Sequence, residues 1–310
     1  MDSMKSNFNQ KISQIKKDRQ LYIILTPFIL FFLIFAYKPM IGLVIAFKDY
    51  NVFKGIGASP WVGLQNFTDF LSSPYFGRLL RNTILISVYG LIFSFPASII
   101  FALLLNEMRM KKLKSIIQTC TYLPHFISAV VITGMVTSFL APENGLINLI
   151  IEIFGGEKVY FLSKPEYFRT IYVLMNIWQG VGYGSIVYIA AIAGIDQQLY
   201  EACVIDGGGR WKQMLHVTIP GILPTVVTMF IMQIGRVLNV NYEKIILLYQ
   251  PATYETADVI NSYVYRMGFE SSVPNYSSST AVGLFNSIIG FILVVVANKI
   301  SNKVNGSGLW

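Results

Sequence analysis

Four polar residues interrupt an apolar stretch of the sequence at a spacing that a helix would place on one face. They lie three, three and four positions apart: Gln233, Arg236, Asn239 and Glu243. Amides and a guanidinium offer hydrogen bonds to the hydroxyl groups of a polar solute. Two interpretations stay open. The face could line a solute path, or Arg236 could extend outward and pair with Glu243 for structural reasons.

A second polar group falls within another apolar stretch. Asn176, Gln179 and Tyr183 occupy positions i, i+3 and i+7, and Trp178 lies beside them. Amides bond hydroxyl groups and aromatic rings cover the apolar faces of sugar rings, so these residue types suit a wall around a sugar. Hydrogen bonding between helices is the alternative. The glycines interleaved with them favour close helix packing: Gly180, Gly182 and Gly184.

The composition places these residues in a membrane protein. Of 310 residues, 54% are hydrophobic and 13% charged, and the mean hydropathy is +0.55. A soluble domain averages about 25% charged residues, so that class is excluded, as are disordered, coiled-coil and collagen chains. The net charge of +8 could indicate nucleic acid. The charges are sparse and lie between apolar blocks, however, which suits membrane topology, and no nucleic acid is expected.

Few residues are available for other chemistry. Cys120 and Cys203 imply no disulfide framework. His125 and His216 leave little for a metal site, and no cofactor is expected. His125 follows Pro124, and we expect it to pack or to form a hydrogen bond. No set of nucleophile, base and oxyanion donors indicates a catalytic site.

Six segments are long and apolar enough to cross about 30 Å of hydrocarbon, which takes about 20 residues. They are 21–37, 82–106, 115–142, 170–195, 221–242 and 281–298. Arg236 is the only Lys, Arg, Asp or Glu within them. Such a charge costs about 2.5–3.5 kcal/mol on insertion and usually faces a cavity or a partner. Lys38-Pro39 is expected to end the first segment, and Pro96 and Pro124 to kink theirs.

Basic residues orient these segments, because Lys and Arg concentrate on the cytoplasmic side near the ends of spans. The compact loop 107–114 holds four: Arg109, Lys111, Lys112 and Lys114. More basic residues precede the first segment, which has no cleavage site and is interpreted as an anchor: Lys5, Lys11, Lys16, Lys17 and Arg19. We predict an all-α integral membrane protein with six transmembrane helices and both termini cytoplasmic. Its parts are an N-terminal segment 1–20, a membrane domain 21–299 and a tail 300–310.

The connection between the fourth and fifth segments predicts two short helices around a turn. Three glycines, 207–209, separate stretches that suit helices, because glycine adopts backbone angles that other residues resist. In the second stretch Trp211, Met214 and Leu215 share one apolar face. Pro220 ends that helix or begins the next. The helix–turn–helix could anchor the bundle at the membrane surface or dock another protein.

Residues 196–220 resemble the coupling motif of ABC importer permeases, and we call them the coupling loop. The motif reads Glu-Ala-Ala, three residues, Gly, nine residues, then Ile-x-Leu-Pro. This chain matches it with small-for-small and apolar-for-apolar changes: Glu201-Ala202-Cys203, Gly207, then Val217, Ile219 and Pro220. The resemblance implies that the loop contacts an ATPase, with Asp206, Trp211, Met214 and Leu215 at the same surface.

Other segments are similar to the carbohydrate branch, the maltose-permease-like family. They are 122–128, 242–245, 258–260, 263–265 and the ending 306–310. The resemblance covers most of residues 20–310 and implies a type I importer permease fold in the cell membrane. The chain departs from it at Asn241-Tyr242-Glu243, where members often have Gly-Phe-Glu.

The resemblance also implies a division of labour. Two homologous permeases, commonly different chains, form the pore across the lipid bilayer. Two copies of a cytoplasmic ATPase bind the coupling loops, and an extracellular solute-binding protein or lipoprotein delivers a carbohydrate, expected to be a complex oligosaccharide. This chain has no G-x-x-x-x-G-K-[ST] phosphate loop, so ATP hydrolysis is expected in the partners and the chain is not expected to be an enzyme.

Two other classes remain as alternatives. An ion-coupled secondary transporter would need a coupling group, for which Arg236 with Glu243 is the candidate. An intramembrane transferase would need clustered acids or a metal site, and the six segments contain no Asp or Glu.

Overall fold

The computed structural model describes residues 18–305, which are predominantly helical, as predicted. Within this range the one β pairing is an isolated bridge between Lys48 and Trp61. The basic residues before Asp18 and the ending 306–310, used above for orientation and for the resemblance, lie outside the described residues.

The first helix, α1, spans Arg19–Phe47 and is longer than the predicted segment 21–37. Its stretch Arg19–Phe32 has no buried residue. The final turns, Ile41–Phe47, pack against the last helix of the chain. Contrary to expectation, Lys38-Pro39 does not end the helix, which continues to Phe47.

Three prolines each follow a widened π-helical turn. The turn Leu33–Tyr37 precedes Pro39, and the two equivalent turns, Gly90–Ser94 and Met214–Thr218, precede Pro96 and Pro220. In a regular helix a proline lacks the N–H for the carbonyl four residues back, and its ring clashes with that carbonyl. The extra residue in the preceding turn removes the conflict, so the helix continues through each proline.

The segment after α1 is a compact loop. The Phe47 and Trp61 rings stack with centroids 5.6 Å apart. Asn66 donates from Nδ2 to the carbonyls of Ala46 and Lys48 at 2.9 and 3.1 Å. The loop contains a single-turn helix, Gly55–Ala58, and the helix α2, Gln65–Leu71.

The next helix, α3, spans Phe76–Glu107. The third predicted segment, 115–142, is not one helix: α4, Lys111–Phe126, and α5, Ala129–Phe139, meet at 105°. Pro124 lies in a 3-10 turn at the end of α4. Ser128 begins α5, accepting a hydrogen bond at Oγ from the N–H of Val131 at 3.4 Å. The break therefore comes from a proline followed four residues later by a new N-cap.

After the short helix α6, Leu146–Ile153, and a 3-10 turn, Phe161–Ser163, comes the central helix α7, Pro165–Ala193. It packs against α3 and α4. A Cβ added at Gly182 would lie 2.2 Å from the carbonyl oxygen of Thr121, and one at Gly184 2.7 Å from Ser98 Oγ. These two glycines serve close packing, as predicted. Gly180 has open space beside it.

Two helices form the predicted helix–turn–helix: α8, Gln197–Ile205, and α9, Arg210–Gly235. The chain leaves regular helix over 236–241, so the predicted segment 221–242 ends early. Then follow α10, α11 and α12 with intervening turns: α10 is Tyr242–Leu248, the turns are Pro251–Thr253 and Tyr254–Ala257, α11 is Ile260–Tyr265, a π-turn covers Arg266–Glu270, and α12 is Tyr276–Asn305.

Four helices are each long and apolar enough to cross a membrane: α1, α3, α9 and α12. The number rises to six if the bent pairs α4–α5 and α7–α8 each count as one span. The six predicted segments correspond to these six.

Candidate functional site

Two adjoining cavities open between α3, α7 and the end of α9. Their volumes are about 440 and 220 Å³. Both are lined by Ser94, Asn176, Gln233 and Arg236, so they share a polar boundary. The π-turn of α3 contributes Gly90, Leu91 and Ser94 to this wall.

Five of the eight residues predicted to line a solute path border these cavities. Asn176, Gln233 and Arg236 line both, Tyr183 lines the larger, and Asn239 lines the smaller. Residues predicted on two separate segments therefore meet around one space. Their contact with a solute stays a prediction.

The predicted helical face of Gln233, Arg236, Asn239 and Glu243 is wrong in its geometry. Helix α9 ends at Gly235, and Arg236 is its C-cap, with φ −100° and ψ 2°. Glu243 lies in the first turn of α10, is exposed, and does not line either cavity. Spacing alone could not reveal that the helix stops between these residues.

Side chains from neighbouring helices hold the break after α9. Ser87 Oγ donates to the carbonyl of Val237. Asn286 Nδ2 donates to the carbonyl of Leu238 at 3.0 Å, and Asn261 Nδ2 to that of Val240 at 3.1 Å. A break at membrane depth is tolerated when protein groups satisfy its backbone, and these hydrogen bonds do so.

Arg236 does not pair with Glu243. The ion pairs among residues 18–305 are Arg78–Asp258, Arg266–Asp258, Lys158–Glu143 and Lys158–Glu152. Neither Arg236 nor Glu243 belongs to any of them. The structural alternative for Arg236 therefore lacks its partner.

Two further predicted path residues face elsewhere. Trp178 lines an apolar groove with Met135 and Leu174, away from the polar cavities. Gln179 donates from Nε2 to the carbonyl of Ile127 at 3.0 Å, which ties α7 to the break between α4 and α5. For Gln179 the interhelical interpretation is the one that the structure supports.

Lys244 is a residue that the sequence interpretation missed. Its ammonium donates to Asn176 Oδ1 at 2.6 Å, and the residue is 7% exposed. Burial lowers its pKa from 10.5 to about 8. A lysine directly before the apolar residues 245–248 was the available signal.

Asp258 forms a second polar centre that was not foreseen. Its fully buried carboxylate accepts hydrogen bonds from Arg78 at 3.0 Å and Arg266 at 2.8 Å. Burial lowers the pKa of Arg266, but the hydrogen bond and charge of Asp258 outweigh burial and hold that pKa above its ordinary value. Asn82 on α3 donates to the carbonyl of Asp258 at 3.0 Å. This centre fastens α3 to the segment before α11.

The turn of the coupling loop forms as predicted, and its hydrogen bonds identify it. Asp196 caps α8 by accepting from the N–H of Gln198 at 2.9 Å. At the other end Gly207 has φ 74°, and its N–H donates to the carbonyl of Val204 at 3.0 Å. The N–H of Gly208 donates to the carbonyl of Cys203 at 2.7 Å. This pair of bonds is the Schellman motif, which ends a helix at a left-handed glycine.

The second helix of the loop does not stop at Pro220, because it continues as α9 through the π-turn Met214–Thr218. Tyr200 and Thr218 hydroxyls lie 3.0 Å apart and join α8 to this turn. The predicted loop residues differ in exposure: Glu201, Ala202, Asp206, Gly207, Trp211, Leu215 and Pro220 are exposed, and Cys203, Met214, Val217 and Ile219 are half-buried. Trp211 is 74% exposed, so the helix presents a large apolar side chain to the surroundings.

The coupling loop and the cavities lie at opposite ends of α9. Trp211 is in its first turn, while Gln233 is in its last and Arg236 follows. The helix has 26 residues, which corresponds to about 39 Å at 1.5 Å per residue. Within residues 18–305 no group of three or more His, Cys, Asp or Glu side chains is placed to bind a metal ion.

Apolar spanning helices around a polar cavity, with an exposed helical turn at the far end of one of them, define a transport permease of the membrane. Residues 94–306 match the family described as "Binding-protein-dependent transport system inner membrane component". The chain belongs to this family, the permeases that its coupling motif resembles, and is an integral membrane protein.

Curated relatives and a solved structure match nearly the whole chain. Protein LplB of Bacillus subtilis strain 168 is 43% identical over 96% of this chain and 93% of its own length. The polygalacturonan/rhamnogalacturonan transport system permease protein YteP of the same strain is 42% identical, over 95% of this chain and 91% of its own. A chain of a bacterial alginate ABC transporter, in complex with an alginate pentasaccharide-bound periplasmic protein, is 43% identical with a TM-score of 0.88, covering 96% of this chain and 99% of that one.

Proposed function

We propose that this chain is the permease subunit of an ATP-driven importer of complex oligosaccharides, working by alternating access. The observation that carries the proposal is the pair of sites on α9, a polar cavity at one end and an exposed coupling loop at the other. A movement imposed on the loop reaches the cavity through one continuous helix.

The cavity chemistry supports a saccharide. Its wall combines amides, hydroxyl groups and a tyrosine ring, which are the groups that bond sugar hydroxyls and cover sugar ring faces. YteP and the alginate transporter are named for polysaccharides, which agrees with this chemistry.

The coupling loop supports an ATPase partner. Ile205 is 85% exposed and Leu215 54% exposed, in addition to Trp211. Exposed apolar residues of this size mark protein interaction sites when they cluster. Two copies of a cytoplasmic ATPase would cover the loops of two permeases, and this chain itself would hydrolyse no ATP.

Helix α1 supports a second permease subunit. No residue of Arg19–Phe32 is buried by the rest of the chain, although most soluble and membrane helices pack one face against a neighbour. A homologous permease beside this one, in the same bilayer, would supply a partner face. An extracellular solute-binding protein completes the assembly, as a periplasmic protein does in the alginate transporter complex.

The proposed orientation places both termini and the coupling loop in the cytoplasm. A cysteine-free background, with Cys120 and Cys203 replaced by serine, allows a direct test. Single cysteines at Ser115 and Asn302 should resist an impermeant thiol reagent in intact cells, and one at Ser271 should react. Labelling at Asn302 with protection at Ser271 would reverse the orientation.

The function is tested by uptake of labelled oligosaccharides into proteoliposomes that contain the complete transporter. We expect uptake to require ATP on the ATPase side and the binding protein on the other. Uptake driven by a proton or sodium gradient without ATP would instead identify an ion-coupled secondary transporter. The separation of Arg236 from Glu243 removes the candidate coupling pair for that alternative.

A further inference from the structure

The cavity walls carry positive charge and no negative charge. Arg236 is the charged residue among the residues that line the two cavities, which include no Asp or Glu. It is exposed and takes part in none of the ion pairs of the described chain. A guanidinium at a cavity surface without a carboxylate partner is free to bind an anion.

Lys244 supplies a second positive charge directly behind the wall. Asn176 lines both cavities, and the Lys244 ammonium donates to its Oδ1 at 2.6 Å. The amide nitrogen of Asn176 is committed to the carbonyl of Tyr172 at 2.8 Å, so the ammonium and the amide oxygen face each other. An ammonium has three donors, and the burial of such a group without a carboxylate is costly. No ion pair within residues 18–305 includes Lys244.

Elsewhere in the described residues, one carboxylate neutralises two partly buried cations. Arg78 and Arg266 share the carboxylate of Asp258, which lies within 3.0 Å of both. Arg236 and Lys244 have no such neutralising residue, although both are near the same wall. Both charges are therefore available to an anionic ligand.

We propose that Arg236 and Lys244 form an anion site, and that the transported saccharide carries a carboxylate, as a uronic acid sugar does. The inference rests on the proposed function and narrows its substrate class. The planar guanidinium of Arg236 matches a carboxylate through two parallel hydrogen bonds. Lys244 adds a point charge behind the wall at Asn176, while Gln233 and Asn239 line the smaller cavity and would bond the sugar hydroxyls.

The test compares oligogalacturonides with their methyl esters, which have the same ring and length but no charge. Uptake is measured in proteoliposomes that contain the complete transporter, and the same binding protein is used for every variant. A change between variants in the ratio of acid uptake to ester uptake then reports on this chain. We expect Arg236→Met and Lys244→Met each to lower that ratio about tenfold, the change that 1.4 kcal/mol produces. Lys244→Arg should keep it, because the charge remains.

Two further variants distinguish loss of the anion site from loss of structure. Asn176→Asp retains the size of the side chain and places a carboxylate against the ammonium, so it should lower the ratio as well. Lys158→Met is the matched control, because Lys158 is exposed and pairs with Glu143 and Glu152 away from the cavities. Its ratio should equal that of the wild type.

The outcomes distinguish failure of the proposed carboxylate site from failure of the proposed importer function. ATP-dependent uptake that favours neutral oligosaccharides over uronates overturns the carboxylate site, and so does uptake that favours sulfated over carboxylated oligosaccharides. Either result is still consistent with the proposed importer function. Equal loss of acid and ester uptake in the Arg236 and Lys244 variants also overturns the site. Absence of ATP-dependent uptake for every saccharide overturns both.

Discussion

The imidazole ring of His125 lies parallel to the phenol ring of Tyr183, with centroids 3.8 Å apart and an interplanar angle of 1°. Tyr183 lines the larger cavity, and His125 approaches it from the end of α4. The expectation that His125 packs is met, and the residue it packs against is a cavity residue. The stack therefore fixes the orientation of an aromatic ring at the cavity wall.

His125→Ala should weaken solute binding by releasing the Tyr183 ring. Aromatic pairs contribute about 0.5–1.5 kcal/mol beyond their buried area, so the KM for transport should rise roughly two- to tenfold with little change in maximal rate. His125→Phe keeps a ring in place and should restore the KM. Equal KM values in all three proteins would show that the stack does not act on the cavity.

The three glycines of the coupling loop should respond differently to alanine. Gly207→Ala strains a residue at φ 74°, and in Gly208→Ala the Cβ would lie 2.6 Å from the carbonyl oxygen of Cys203. Both should reduce sugar-stimulated ATP hydrolysis severalfold, with normal abundance in the membrane. Gly209→Ala is the matched control, because its φ of −74° suits any residue and its Cβ meets no atom within 4 Å. Similar activity in the three variants would argue against a role for the turn geometry.

Asp258→Asn should destabilise the protein, since it removes the charge that Arg78 and Arg266 share. Loss of one partner of a buried pair costs roughly 3–5 kcal/mol, and the low end is expected because these arginine side chains are 33% and 25% exposed. A clear fall in the Tm of the purified protein should follow. Glu143→Gln, in a pair whose carboxylate is 72% exposed, should cost at most about 1 kcal/mol. Equal Tm changes would contradict the assignment of Asp258 as a structural centre.

Lys244 should make stability depend on pH in the alkaline range. Its pKa is about 8 in the folded protein and 10.5 in the unfolded chain. Between these values the unfolded chain binds more protons than the folded one, so the free energy of unfolding should rise with pH from about pH 8 and level off above about pH 10.5. Melting of the purified protein across this range, with Lys244→Met as reference, isolates the effect. If the free energy of unfolding of the wild type, relative to that of Lys244→Met, fell with rising pH, the ammonium would instead be in a stabilising contact.

The membrane class and the identity of the apolar segments followed from composition and length, because a bilayer sets a strict requirement on both. The turn at Gly207 was equally predictable, since few residues adopt its backbone angle. Helix ends were harder. Pro39 suggested the end of a helix, and Pro220 either an end or a beginning. The helix continues through both, because a widened turn before each accommodates the ring.

The candidate site was predictable in its residue types and not in its geometry. Asn176, Gln233 and Arg236 were selected because polar residues in apolar stretches are costly, and all three line both cavities. The break after Gly235 depends on Ser87, Asn261 and Asn286, which are distant in sequence, so spacing within the segment could not predict it. Lys244 was missed for the same reason, since its partner Asn176 lies 68 positions away.

Because α9 is one continuous helix from the coupling loop to the cavities, a tilt at one end displaces the other end. A tilt of about 5° pivoting at Arg210 would carry the Gly235 end sideways by roughly 3 Å over its length of about 39 Å. That displacement is about the length of one hydrogen bond, so it would be enough to break or form a hydrogen bond between a cavity residue such as Gln233 or Arg236 and a molecule bound there. A small change in the angle of α9 at the coupling loop would thus be enough to alter contacts between the cavity wall and a bound molecule, without unwinding any helix.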